Sequence, residues 1–147
     1  MLWITRQNPH IDRCASAWLI KRLIDKNAEF KFISKDDPIP KGTTAFTLPK
    51  AEIKPVEKEK TTYDALIEKY MIQDPIALEI GKFIHDFEID AEENPDKVKF
   101  RETLGLCYII KGLEKKSETD NETVKKGMIV LDAFYASLID QDSSVLL

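Results

Sequence analysis

In the stretch TRQNPHIDRCASAWLIKRLID, residues 5–25, two guanidinium groups, an imidazole and a carboxylate stand close together as Arg6, His10, Asp12 and Arg13. A guanidinium fork grips an oxyanion through paired N–H groups. An imidazole and a carboxylate in H-x-D spacing are both ligands for first-row metal ions. The stretch therefore predicts a polar site for an oxyanion, a divalent metal ion, or the two together. The second histidine also has an acid beside it, in His85-Asp86. His10, Asp12, His85 and Asp86 are accordingly the candidate metal ligands, and Arg6, Arg13 and Arg22 the candidate anion-binding groups. Asp12 would repel an anion unless a cation lay between them, which favours a metal with an arginine nearby to receive the oxyanion. A metal with open positions could equally activate water, so a metal-dependent hydrolase or oxidoreductase stands as the alternative. The order His10, His85-Asp86, Asp132 supplies an H…HD…D outline for such a site.

These groups depend on the elements that carry them. LWIT reads as an opening strand and QNPH as a turn, with Pro9 disfavouring helix before it. From Ile11 to Asp25 the spacing is helical. At about 100° per residue, Ser16, Ala17, Leu19, Ile20, Leu23 and Ile24 form one apolar arc. Asp12 and Arg13 fall inside that arc, whereas Cys14, Lys21, Arg22 and Asp25 fall outside it. Asp12 is worth about 0.3–1 kcal/mol at a helix N-terminus and could simply pair with Arg13, but desolvating each ion costs several times that. A structural pair and a functional polar pocket both remain open.

NAEFKFI alternates as a half-buried strand, SKDDPIPKGT is a loop, and TAFTL is a third strand. PKAEIKPVEKEKTT is either a solvated loop or a ragged edge strand. Helices follow. TTYDALIEKYM opens with Thr61 and Asp64 in capping-box spacing, and DPIALEIGKFIHDF opens with Asp74 as cap and Pro75 at the first helical position. DKVKFRETLGLCYIIKGLEKK is the next, and DNETVKKGMIVLDAFYASLI the last, with Val124, Met128, Leu131, Tyr135 and Leu138 at core spacing. Periodicity sets His85 off the apolar face of its helix and Asp86 on the polar side with Glu79. Asp132 borders the core stripe within reach of Tyr135 or a basic partner. Strands first and helices after give an α+β fold, predominantly helical, with a small N-terminal β-sheet packed against a helical bundle. The expectation is a single domain over residues 1–147.

Composition narrows the function classes. A net charge of −4 and a pI near 5.3 argue against nucleic-acid binding by this chain alone, because phosphate backbones demand concentrated basic surface. A regulatory role would then act through a partner. Cys14 and Cys107 match no zinc or redox spacing and read as reduced thiols. No run approaches the roughly 20 apolar residues of a membrane span, and MLWITRQNP is not a secretory leader. The expected location is the cytoplasm, and an oligomer is compatible with all of this.

The motifs also carry a likeness. TRQNPHIDRCASAWLIKRLIDKNAEFKFI resembles the opening signature of the chromate-resistance protein family of the ChrB C-terminal type. TTYDALIEKYMIQDP, IHDFE and GMIVLDAFYASL are similar to its later segments, so the likeness covers nearly the whole chain. The resemblance implies a domain associated with chromate resistance or response. Carried over by position, it marks Arg6, Asp12, Arg13, Trp18, Arg22, Asp64, His85, Asp86 and Asp132. Where relatives carry His and Cys in H-R-G-E-x-C, this chain has Val56 and Thr61, while Glu59 remains. Ser16 stands where many relatives have Cys. Those departures disfavour thiol-based chromate reduction and favour a site of nitrogen and oxygen donors.

Overall fold

The computed structural model describes residues 1–139; the rest of the expected 1–147 domain lies outside the described residues. β1 (Leu2–Arg6) runs between β2 (Glu29–Ile33) and β3 (Thr44–Ala45) in a sheet of order β2-β1-β3. Both pairings are parallel, with Trp3 opposite Phe30 and Thr44. The alternation in β1 divides the core. Trp3 joins the main cluster against the helices, while Ile4 joins a smaller one with Ile33, Leu48 and Ala51 beneath the loop that follows β2. The sheet is α+β in its setting, yet β1, the first helix and β2 form a βαβ unit that strand composition alone does not announce.

That first helix, α1 (Ile11–Leu19), packs against α2 (Thr62–Lys69), α3 (Pro75–His85), α4 (Arg101–Lys116) and α5 (Asp120–Ile139). It is consequently buried on nearly all sides. Cys14, assigned by the helical wheel to the outer side, is 1% exposed, and Leu23, assigned to the core arc, is 40% exposed. Two causes explain the difference. Neighbours surround the helix, and from Ile20 to Ile24 it continues as a π-helix, closed by Asp25 N–H donating to Ile20 C=O at 2.7 Å, which rotates the later residues out of α-helical phase.

Local signals place the other helices. Thr61 and Asp64 form the reciprocal capping box, and Asp74 caps α3 ahead of Pro75. α4 begins at Arg101, later than the periodicity predicts, because residues 95–97 form a 3₁₀ turn and Phe100 is extended. The charged stretch after β3 is neither a regular strand nor free coil: Phe46 bridges Ile53, and Val56 bridges Lys60 across a tight turn. Among the described residues, no helix is long and apolar enough to cross a membrane.

Candidate functional site

All three strands run the same way, so their carboxyl ends share one edge. Arg6 ends β1 there, Ser34 and Lys35 follow β2, and Thr47 lies just beyond β3. Gln7 donates its N–H to Ile33 C=O at 2.9 Å, and the chain then turns through Asn8, at φ 57°, into α1. His10 is the extended N-cap of α1 and makes no side-chain cap bond. Arg13, one turn into the helix, reaches back to donate to Asn8 C=O. This turn draws both guanidinium groups to the sheet edge.

Two cavities flank them. The first, about 370 Å³, is lined by Arg6, Gln7, Asn8, His10, Arg13, Ser34 and Lys35, and has no carboxylate in its wall. Among the described residues, none of Arg6, Arg13 and Lys35 forms an ion pair. Burial lowers the pKa of Arg13, and repulsion from Arg6 lowers it further. Positive charge accumulates on this wall, offset at Arg13 only through space by Asp12 and Glu114.

The second cavity, about 450 Å³, opens between the ends of β1 and β3 and shares Arg6, His10 and Arg13 with the first. Its wall is of mixed charge, with Asp12, Glu57, Glu88 and Glu92 facing Lys58 and Lys60. Burial, helped by repulsion from Asp12 and Glu92 and opposed by Arg13, pushes Glu88 up to about 7. The folded state thus binds a proton at Glu88 that the unfolded chain, with an ordinary value of 4.5, has released. Stability from this group is complete below 4.5 and lost as pH rises through 7. Glu88→Gln should match the parent near pH 4.5 and exceed it at pH 8 by about 1–2 kcal/mol, read as a shift in urea midpoint. Equal midpoints for the two proteins at pH 8 would show that Glu88 is not so perturbed.

The acids singled out by type mostly tie elements together. Asp12 accepts from the backbone N–H groups of Thr62 at 2.8 Å and Tyr63 at 3.0 Å, so it caps α2 from another helix. Burial raises its pKa, and these two bonds oppose the rise. Asp86 is 0% exposed, not solvent-facing, because the start of α4 closes over it. It accepts from Lys99 N–H, Phe100 N–H and the Thr103 hydroxyl at 2.7–3.0 Å. Burial works to raise its pKa, but those bonds win and hold it below the usual carboxylate range.

The four metal-ligand candidates therefore do not converge. His10 Nδ1 lies 2.6 Å from Glu114, while His85 Nδ1 lies 2.7 Å from Asp64. Among the described residues, no group of three or more His, Cys, Asp or Glu is arranged to hold a metal ion. Arg22 also sits apart from the cleft, donating through Nε and Nη2 to Asp132, which accepts from Trp18 Nε1 at 2.8 Å as well. Tyr135 bonds Asp74 instead of Asp132. Glu59 is exposed in the turn that Val56 and Lys60 close.

Of the predicted groups, Arg6, His10, Asp12 and Arg13 are brought together. Lys35, Ser34, Thr47 and Glu88 were not foreseen. Their one sequence signal is position just after a strand or helix, which becomes informative only once the strands are known to be parallel. Val56 and Thr61, the positions of departure from the resembled motif, both line the larger cavity.

No solved structure matches the chain. Protein ChrB of Cupriavidus metallidurans is 24% identical over 134 residues, covering 90% of this chain and 39% of that relative's length. The family model described as ChrB, C-terminal domain matches residues 3–138, and with the αβ frame and the arginine-bearing opening motif in place, the chain belongs to the ChrB C-terminal domain family.

Proposed function

We propose that this chromate-resistance domain binds a tetrahedral oxyanion of the chromate type in a sensing or detoxifying role, held by Arg6, Arg13 and Lys35. The observation that carries this reading is the cavity wall without a carboxylate, in which two guanidinium groups and an ammonium form no ion pair among the described residues. Guanidinium forks suit a doubly charged tetrahedral anion, and the amide and hydroxyl groups of Gln7, Asn8 and Ser34 add neutral hydrogen-bonding partners. No cation is needed to reconcile Asp12 with an anion, because its carboxylate is turned onto the two N–H groups of α2. Thiol reduction of the anion is disfavoured by the chain itself: burial pushes both Cys14 and Cys107 up to about 12, far from thiolate at neutral pH.

Calorimetric titration of chromate and of sulfate into the protein tests the reading. Heat is expected with both, weakening as salt rises. Arg6→Ala and Arg13→Ala should each lower affinity by about 10- to 100-fold, the range for a charged hydrogen bond of about 1.5–3 kcal/mol. Absence of heat with either anion would end the proposal.

A further inference from the structure

Resting on that reading of the anion pocket, we propose that the anion is the phosphate of an organic monoester, whose uncharged, hydroxyl-bearing body occupies the larger cavity. Four observations lead there. Arg6, His10 and Arg13 form a wall common to both cavities, so an anion gripped by the guanidiniums has open space on its far side. That space, about 450 Å³, falls in the size range of small-molecule sites, whereas a water takes only about 30 Å³ and a bare four-oxygen anion a few times that. It lies between the carboxyl ends of β1 and β3, on the other side of β1 from β2. In open parallel sheets this is the crevice where ligands bind, here because the chain leaves β1 for β2 on one side and then crosses back past β1 to β3 on the other. Finally, Thr47 at φ 55° and Lys58 at φ 63° line the same cavity. Left-handed backbone is unfavourable for a β-branched threonine and persists where surrounding structure enforces it, commonly around ligands.

The wall chemistry selects the body. Pro55, Val56 and Ile89 offer apolar surface, while the carboxylates of Glu57 and Glu92 accept hydrogen bonds from hydroxyls and the Glu88 carboxyl, raised to about 7, can accept or donate one. Those acids offset Lys58 and Lys60 in the same wall, so it lacks the net positive charge that a second phosphate needs. A sugar monophosphate meets these demands, and a sugar bisphosphate does not.

Calorimetry on the full chain at fixed ionic strength, with inorganic phosphate, ribose 5-phosphate and fructose 1,6-bisphosphate, separates the possibilities. The expected order puts ribose 5-phosphate about tenfold tighter than inorganic phosphate, as two or three net hydrogen bonds would give, and the bisphosphate no tighter than the monoester. Arg13→Ala should weaken phosphate and monoester alike. Val56→Trp, at a position 44% exposed and so safe for folding, should erase the difference between them by filling the body's space. If phosphate binds and the monoester binds no better, the organic body is refuted while the oxyanion reading stands. If neither binds, the monoester is refuted, and the chromate and sulfate titration decides the oxyanion reading. A monoester advantage that survives Val56→Trp would also overturn the placement.

Discussion

Asp86→Ala should be the most damaging single change in the described structure. The buried carboxylate satisfies the N–H groups of exposed Lys99 and half-buried Phe100 and the hydroxyl of buried Thr103, and all three would lose this acceptor. Each stranded group costs about 1–3 kcal/mol, so a loss of roughly 3–5 kcal/mol is expected, or about 10–15 °C in Tm. Asp86→Asn should be nearly as harmful, because its amide NH₂ would face N–H donors. The sign of the pH dependence follows from the depressed pKa. The contribution is present above the unfolded value of about 3.9 and lost as pH falls through the folded one, so parent and variants should converge in acid. Thermal unfolding at pH 7 and pH 2.5 checks both statements. A variant melting within about 2 °C of the parent at pH 7 would mean that the start of α4 is held by other contacts.

Asp86 also shows where sequence reading stops. Its place on the α3 spiral is polar, and periodicity sends such a residue to solvent. What reverses the outcome is tertiary: residues 95–100 lead α4 back over it, and its backbone begins a π turn closed by Ala91 N–H to Asp86 C=O at 2.9 Å. Local grammar fared better where it was self-contained. The Thr61–Asp64 box, the Asp74-Pro75 start and the span of α5 need only neighbouring residues, and each stands where its motif put it. The strands are legible as strands, though only Thr44 and Ala45 of TAFTL pair, but their direction is not, since Trp3 pairs with Phe30 and Thr44, 27 and 41 residues away. Without direction, Lys35 is one more loop lysine. With all three strands parallel, the residue after β2 must share an edge with Arg6, and the anion pocket acquires its third cation.

Grouping acids and bases by type into one metal centre has the same blind spot. His10, Asp12, His85 and Asp86 share ligand chemistry, but composition carries no information on which partner each will meet. Folding gave each a different main partner: Glu114 for His10, the α2 backbone for Asp12, Asp64 for His85 and the approach to α4 for Asp86. Among the described residues neither cleft arginine forms an ion pair with these acids. That asymmetry is what the anion proposal rests on.

Asp12 gives the sharpest test of this division, because it lies beside the cleft yet is bonded away from it. Asp12→Ala would leave Thr62 and Tyr63, both 0% exposed, with no acceptor for the first N–H groups of α2. Helix starts buried in this way need a partner, and two unmet donors should cost about 2–4 kcal/mol. Asp12→Asn should fall between parent and alanine, since one amide oxygen can replace only one of the two carboxylate acceptors. Oxyanion affinity should move the other way. Removing a negative charge near Arg13 leaves the anion pocket intact and more positive, so chromate or sulfate should bind as well or tighter at a temperature where the variant stays folded. Unfolding midpoint and anion titration on the same preparation separate the roles. Full stability would refute the cap, and lost anion binding in a folded variant would make Asp12 part of the ligand site, through a bridging cation or a proton of its own.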